Sequence, residues 1–110
     1  MKVEHNYIDG QWCAAQLGGT RTIIDPGNGE VLAVVTESSR EDSARAIAAA
    51  RKAFYDDGTW RRTSGPMRAA KLFAVADRID ARAAELAALD SRNSGKPLRE
   101  AEGDIADAAA

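Results

Sequence analysis

Large apolar residues and alanines recur at Ala69, Leu72, Phe73, Ala76, Ile79, Ala83 and Leu86, steps of three and four that draw one stripe along an α-helix from Met67 to Leu89. The charges Lys71, Asp77, Arg78, Asp80, Arg82 and Glu85 fall mostly on the other faces. Unbroken, such a helix measures about 35 Å at 1.5 Å per residue, so it calls for a partner surface of comparable length. Ser64-Gly65-Pro66 supplies its start, a capping serine with proline in the first turn, and Asn93-Ser94-Gly95-Lys96-Pro97 supplies the turn after it.

Ahead of this stripe the period changes. Tyr7 to Cys13 reads as a short hairpin about the turn signal Asp9-Gly10, and Thr20 to Ile24 is β-branched enough for a second strand. Asp25-Pro26-Gly27-Asn28-Gly29 concentrates turn-forming residues, and Val31 to Val35 follows as a third strand, antiparallel to the second. Ser38 or Ser39 can cap a first helix that runs to about Tyr55, its dipole favoured by Glu41 and Asp42, with Ala44, Ile47, Ala48, Ala50 and Phe54 turned inward. Asp57-Gly58 ends it. After Pro97 a third helix carries Leu98, Ala101 and Ile105 on one side and breaks off at Ala108-Ala109-Ala110 without a cap, which reads as an interrupted helix. The expectation is an α/β chain of short antiparallel strands followed by three helices.

Composition changes this picture in one respect. Of 110 residues 23 are alanine, and only 19 are Val, Ile, Leu or Phe, short of what a self-sufficient core needs. The net charge of −2 lacks the excess that marks disorder, so the chain reads as patterned to fold against something outside itself. Fifteen basic and 17 acidic residues are interspersed without a basic block, which gives no reason to expect nucleic acid. No apolar run resembles a signal peptide or a membrane span, and the single Cys13 fits a reducing compartment, so a cytoplasmic protein is expected.

The candidate chemistry is sparse. Cys13 has no base nearby in sequence, the only histidine being His5 near the terminus, and the two together fall short of a zinc ligand set. Asp56-Asp57 and Glu100, Glu102, Asp104 lack calcium-loop spacing and read as solvated faces. No glycine-rich phosphate loop occurs, and Trp60 before two arginines reads as a packing anchor. On these grounds a small non-catalytic structural or protein-interaction domain is one reading.

Five segments together support another. Tyr7–Trp12 (YIDGQW), Ile24–Val31 (IDPGNGEV), Ala46–Phe54 (AIAAARKAF), Trp60 ahead of an arginine-bearing long helix, and Ser94–Ala101 (SGKPLREA) resemble, in order and spacing, the N-terminal part of the aldehyde dehydrogenase superfamily. The resemblance implies the N-terminal portion of a Rossmann-like cofactor-binding domain, residues 1–110 being a truncated segment that packs on the remainder of such a chain or in a homo-oligomer. It implies NAD- or NADP-dependent oxidation of an aldehyde to a carboxylic acid, with a cysteine attacking the aldehyde, a hydride passing to the nicotinamide and a glutamate activating water. Those residues lie downstream of the matched region, so no catalytic and no cofactor-binding residue is expected here, and Cys13 does not match the nucleophile's motif. Asp90–Pro97 and Gly103–Ala108 look most like members acting on betaine aldehyde or amino-aldehydes. Many members also hold potassium or sodium on backbone carbonyls before the Asn-Pro or Asp-Pro turn and on an aspartate ahead of Gly-Lys-Pro. The matching positions are Ile23, Ile24 and Asn93, where asparagine replaces the aspartate; the other reading of Asn93 is that it simply terminates the long helix.

Overall fold

The computed structural model describes all 110 residues. They divide into two compact units, Met1–Ile23 with Ala33–Thr63, and Ile24–Leu32 with Ser64–Ala110.

In the first unit, strands β2 (Asn6–Ile8) and β3 (Gln11–Cys13) form the expected antiparallel hairpin, with Tyr7 opposite Trp12. Asp9 and Gly10 carry φ of 52° and 77°, the pair of left-handed residues that a two-residue hairpin turn requires. Strands β4 (Thr20–Ile24) and β5 (Val31–Thr36) fall where the β-branched runs lie. Backbone hydrogen bonds from Asp25 to Glu30 and from Glu37 to Gly19 pair the end of one strand with the start of the other, so they run antiparallel. β1 (Val3–Glu4) adds to the other edge of β5 in parallel, Val3 opposite Val34, a pairing that two residues cannot announce in advance. At Gly18 a Cβ would overlap the Glu37 carbonyl, so only glycine fits there.

Helix α1 (Arg40–Lys52) opens on a capping box in which Ser39, rather than Ser38, accepts from the Asp42 amide while Asp42 reaches back to the Ser39 amide. Its last turn widens into a π turn (Ala53–Asp57) that Gly58 ends at φ 62°. A four-residue helix α2 (Thr59–Arg62) follows, and Arg61 and Arg62 fold back to donate to the carbonyls of Phe54 and Asp57, at 3.0 and 2.7 Å. The inward face expected for the first helix is not inward. Ala44, Ile47, Ala48, Ala50 and Phe54 are exposed, Ile47 at 70%. Trp60 is 51% exposed.

In the second unit the long helix is two helices. Ser64 caps α3 (Gly65–Ala81) with proline in the first turn, as expected, but Arg82 at φ −115°, ψ 17° leaves the helical region and α4 (Ala83–Ser94) starts anew. Gly95 ends α4 in the left-handed conformation, so Asn93 lies within the last turn and glycine is the terminator. Helix α5 (Leu98–Ala109) packs against both α3 and α4. The only buried apolar side chains are the small ones of Ala87 and Ala101, whereas Leu72 and Phe73 of the stripe are 62% and 71% exposed.

A chain with so much uncovered apolar surface has little to hold a single packed state. Purified alone, it is expected to show helical circular dichroism with a broad thermal transition, or to self-associate in sedimentation; a sharp cooperative melt from a clean monomer would contradict this.

Candidate functional site

Two polar nodes stand out, one in each unit. In the second, the turn after β4 meets the end of α4. Asp25 is 6% exposed and closes the turn on itself, its Oδ1 accepting the Gly27 amide at 2.8 Å and its carbonyl the Gly29 amide at 2.8 Å. Its Oδ2 accepts Arg92 Nε at 3.2 Å, an ion pair across 67 positions of sequence. Gly95 supports the approach, since a Cβ there would lie 3.0 Å from Pro26 Cγ. Beyond it, Ser91 Oγ donates to the Lys96 carbonyl at 2.8 Å, and Lys96 Nζ pairs with both Asp90 and Asp104, tying α4 to α5.

The three residues singled out for a cation lie about this corner's segments. Ile23 is half-buried near the end of β4, Ile24 is its exposed last residue, and Asn93 is exposed on α4 between Arg92 and Ser94, the latter donating to the Asp90 carbonyl. Ile24 and Asn93 each adjoin a member of the Asp25–Arg92 pair.

In the first unit the node is Asp42, 1% exposed. Its carboxylate accepts the Ser39 amide and hydroxyl at 3.0 and 2.9 Å, the Gln16 amide at 3.1 Å and Arg45 Nη2 at 3.1 Å. The backbone donors of Ser39, then of Gln16, hold it below the ordinary carboxylate range against the opposing effect of burial. One side chain thereby caps α1 and tethers the loop after β3. Arg45 extends the node to Cys13, whose Sγ lies 3.8 Å from Nη2; the thiol is half-buried in a shallow groove lined also by Ile8, Gln11 and Ala48. His5 is engaged elsewhere, Nδ1 sitting 3.2 Å from Thr36 Oγ1. No group of three His, Cys, Asp or Glu side chains converges to hold a metal ion. The Asp25–Arg92 and Gln16–Asp42 contacts join positions 67 and 26 apart, so no local pattern announces them, whereas Arg45 lies one helical turn from Asp42 and could be read from that spacing, as could the turn chemistry of Asp25-Pro26 and the capping spacing of Ser39 and Asp42.

The geometry describes a scaffold, and the likeness to known proteins says which. The sequence model of the aldehyde dehydrogenase family matches residues 12–110. Betaine aldehyde dehydrogenase of Bacillus subtilis is 44% identical over 103 residues, which are 94% of this chain and 21% of that protein. Aminoaldehyde dehydrogenase 2 of Zea mays is 41% identical over 106 residues, again 94% of this chain and 21% of the relative. Among solved structures, an NAD-dependent aldehyde dehydrogenase from Sinorhizobium meliloti superposes with a TM-score of 0.89 at 42% identity, over 96% of this chain and 21% of the other. Betaine aldehyde dehydrogenase from Staphylococcus aureus in complex with NAD+ gives 0.88 at 40%, over 93% and 20%. The chain belongs to the aldehyde dehydrogenase family, an enzyme family of oxidoreductases, and matches its N-terminal part. It spans about a fifth of the length of these relatives.

Because the Asp42 pKa is lowered on folding, the stability it contributes is present above the ordinary carboxylate pKa of about 4 and is lost as pH falls through the lower, folded value. Gln16 amide exchange, followed by NMR, should therefore accelerate on acidification below about pH 4. In Asp42→Asn it should already be fast at neutral pH and change little on acidification, once the intrinsic pH dependence of exchange is removed.

Proposed function

We propose that this chain is the N-terminal scaffold of an NAD- or NADP-dependent aldehyde dehydrogenase that converts an aldehyde, of the betaine aldehyde or amino-aldehyde class, to its carboxylic acid with reduction of the nicotinamide. The observation that carries this reading is the 44% identity to the Bacillus subtilis betaine aldehyde dehydrogenase, sustained over 94% of the chain. The maize aminoaldehyde dehydrogenase points to the same substrate class. The exposed faces support the rest. Ile47 and Phe54 on the first unit, Leu72 and Phe73 on the second, are large apolar side chains that water meets in this chain and that a further polypeptide would cover. The partner is accordingly the remainder of an aldehyde dehydrogenase chain, assembled in a cytoplasmic enzyme. No helix here is long and apolar enough to cross a membrane.

Within that enzyme these residues bind and orient nothing of the substrate. Covalent catalysis on an aldehyde needs a thiolate, a base for water and a held nicotinamide brought together, because the rate gain comes from positioning them. Cys13 sits beside an arginine that is already committed to Asp42, and His5 is bonded to Thr36.

The purified chain should give no NADH absorbance with betaine aldehyde or aminobutyraldehyde and no saturable heat with NAD; turnover that disappears in Cys13→Ala would overturn the reading. Substituted for the corresponding segment of the Bacillus subtilis enzyme, the chain should preserve NAD-dependent oxidation of betaine aldehyde. A soluble, correctly assembled chimera without activity would count against it.

A further inference from the structure

We propose that the Arg92–Asp25 ion pair stands in this chain where the family resemblance implies a monovalent cation, so that the corner near Ile24 and Asn93 is held without potassium or sodium. An alkali cation competes with its own hydration shell, and a site outbids water with convergent oxygens backed by negative charge. The donor set here does not suit that task. Position 93 is an amide, which offers an oxygen and no charge. The anionic group of the corner is the Asp25 carboxylate, and both of its oxygens are taken, Oδ1 by the Gly27 amide at 2.8 Å and Oδ2 by Arg92 Nε at 3.2 Å.

The guanidinium is itself a fixed, directional positive charge. The Arg92 side chain is 53% exposed, so water screens part of the repulsion a second cation meets, but the Asp25 side chain, 9% exposed, already has its charge balanced and offers none to that cation. Arg92 also performs the mechanical part, for it binds the turn after β4 to the last turn of α4, the two segments from which the implied ligands would come. Removing it would leave a buried carboxylate uncompensated, which is the costly way to break such a pair.

The Gly27 and Gly29 amides donate to Asp25 and so report on the corner directly. Their hydrogen exchange is to be measured on the whole chain in potassium, sodium and choline chloride at one ionic strength. The proposal expects these amides to exchange more slowly than in an unfolded chain, and equally so in all three salts. Arg92→Leu should lower protection in choline by about tenfold, what the loss of one charge-assisted contact amounts to. Arg92→Lys, which keeps the charge and guards against a leucine variant that fails to fold, should remain indifferent to the choice of salt. Protection of the parent chain that rises in potassium or sodium over choline overturns the proposal. So does an Arg92→Leu variant as protected in choline as the parent, or an Arg92→Lys variant that becomes potassium-dependent.

Discussion

Apolar surface that the chain cannot cover governs everything else in it. Sixteen large hydrophobic side chains are exposed, while the apolar residues that are fully buried are two alanines. Burying one Leu or Phe is worth about 1.5–3 kcal/mol, so the driving force that ordinarily selects a fold is here left unspent. What specifies the elements instead is short-range: a left-handed pair at Asp9 and Gly10, the capping box of Ser39 and Asp42, the Asx turn of Asp25, glycine at 95. Such devices choose local conformation well and contribute little cohesion, exposed ion pairs least of all, at about 0–1 kcal/mol each.

This division explains what could be read in advance. Hairpin, turn, the starts of α1, α3 and α5 and the ends of α1 and α4 are written in a few adjacent residues, and each lies where those residues put it. Burial is different, because a stripe says that a face will be covered and not by what. Ala44, Ile47 and Phe54 form a proper helical stripe and are exposed. The break at Arg82 was hidden for a related reason. Neither glycine nor proline marks it, the apolar spacing runs straight through, and its backbone leaves the helix without a sequence signal. The candidate site was legible only as positions: Ile24 and Asn93 could be named from resemblance, whereas the contact between their neighbours Asp25 and Arg92 spans 67 residues and belongs to tertiary structure.

Family membership gives the uncovered faces a context. Relatives about five times as long align with nearly the whole chain and superpose on it closely. The polar nodes, by contrast, are complete within the chain. Asp42 has its donors, and Asp25 has Arg92. Local determinants are thus satisfied within the chain, while its large apolar faces stay exposed.

The discontinuity at Arg82 has a mechanical consequence. A single rod from Ser64 to Gly95 would carry any displacement of its start undiminished to the turn where Asp25 is held. Two rods meeting at a residue outside the helical region change direction there, the arginine held by an exposed pair with Glu85 and its backbone by hydrogen bonds to the Ile79 carbonyl and from the Leu86 amide. Helix α5, packed on both rods, bridges the joint, so the clasp at the far end of α4 is coupled to α3 through α5 and not along one continuous axis.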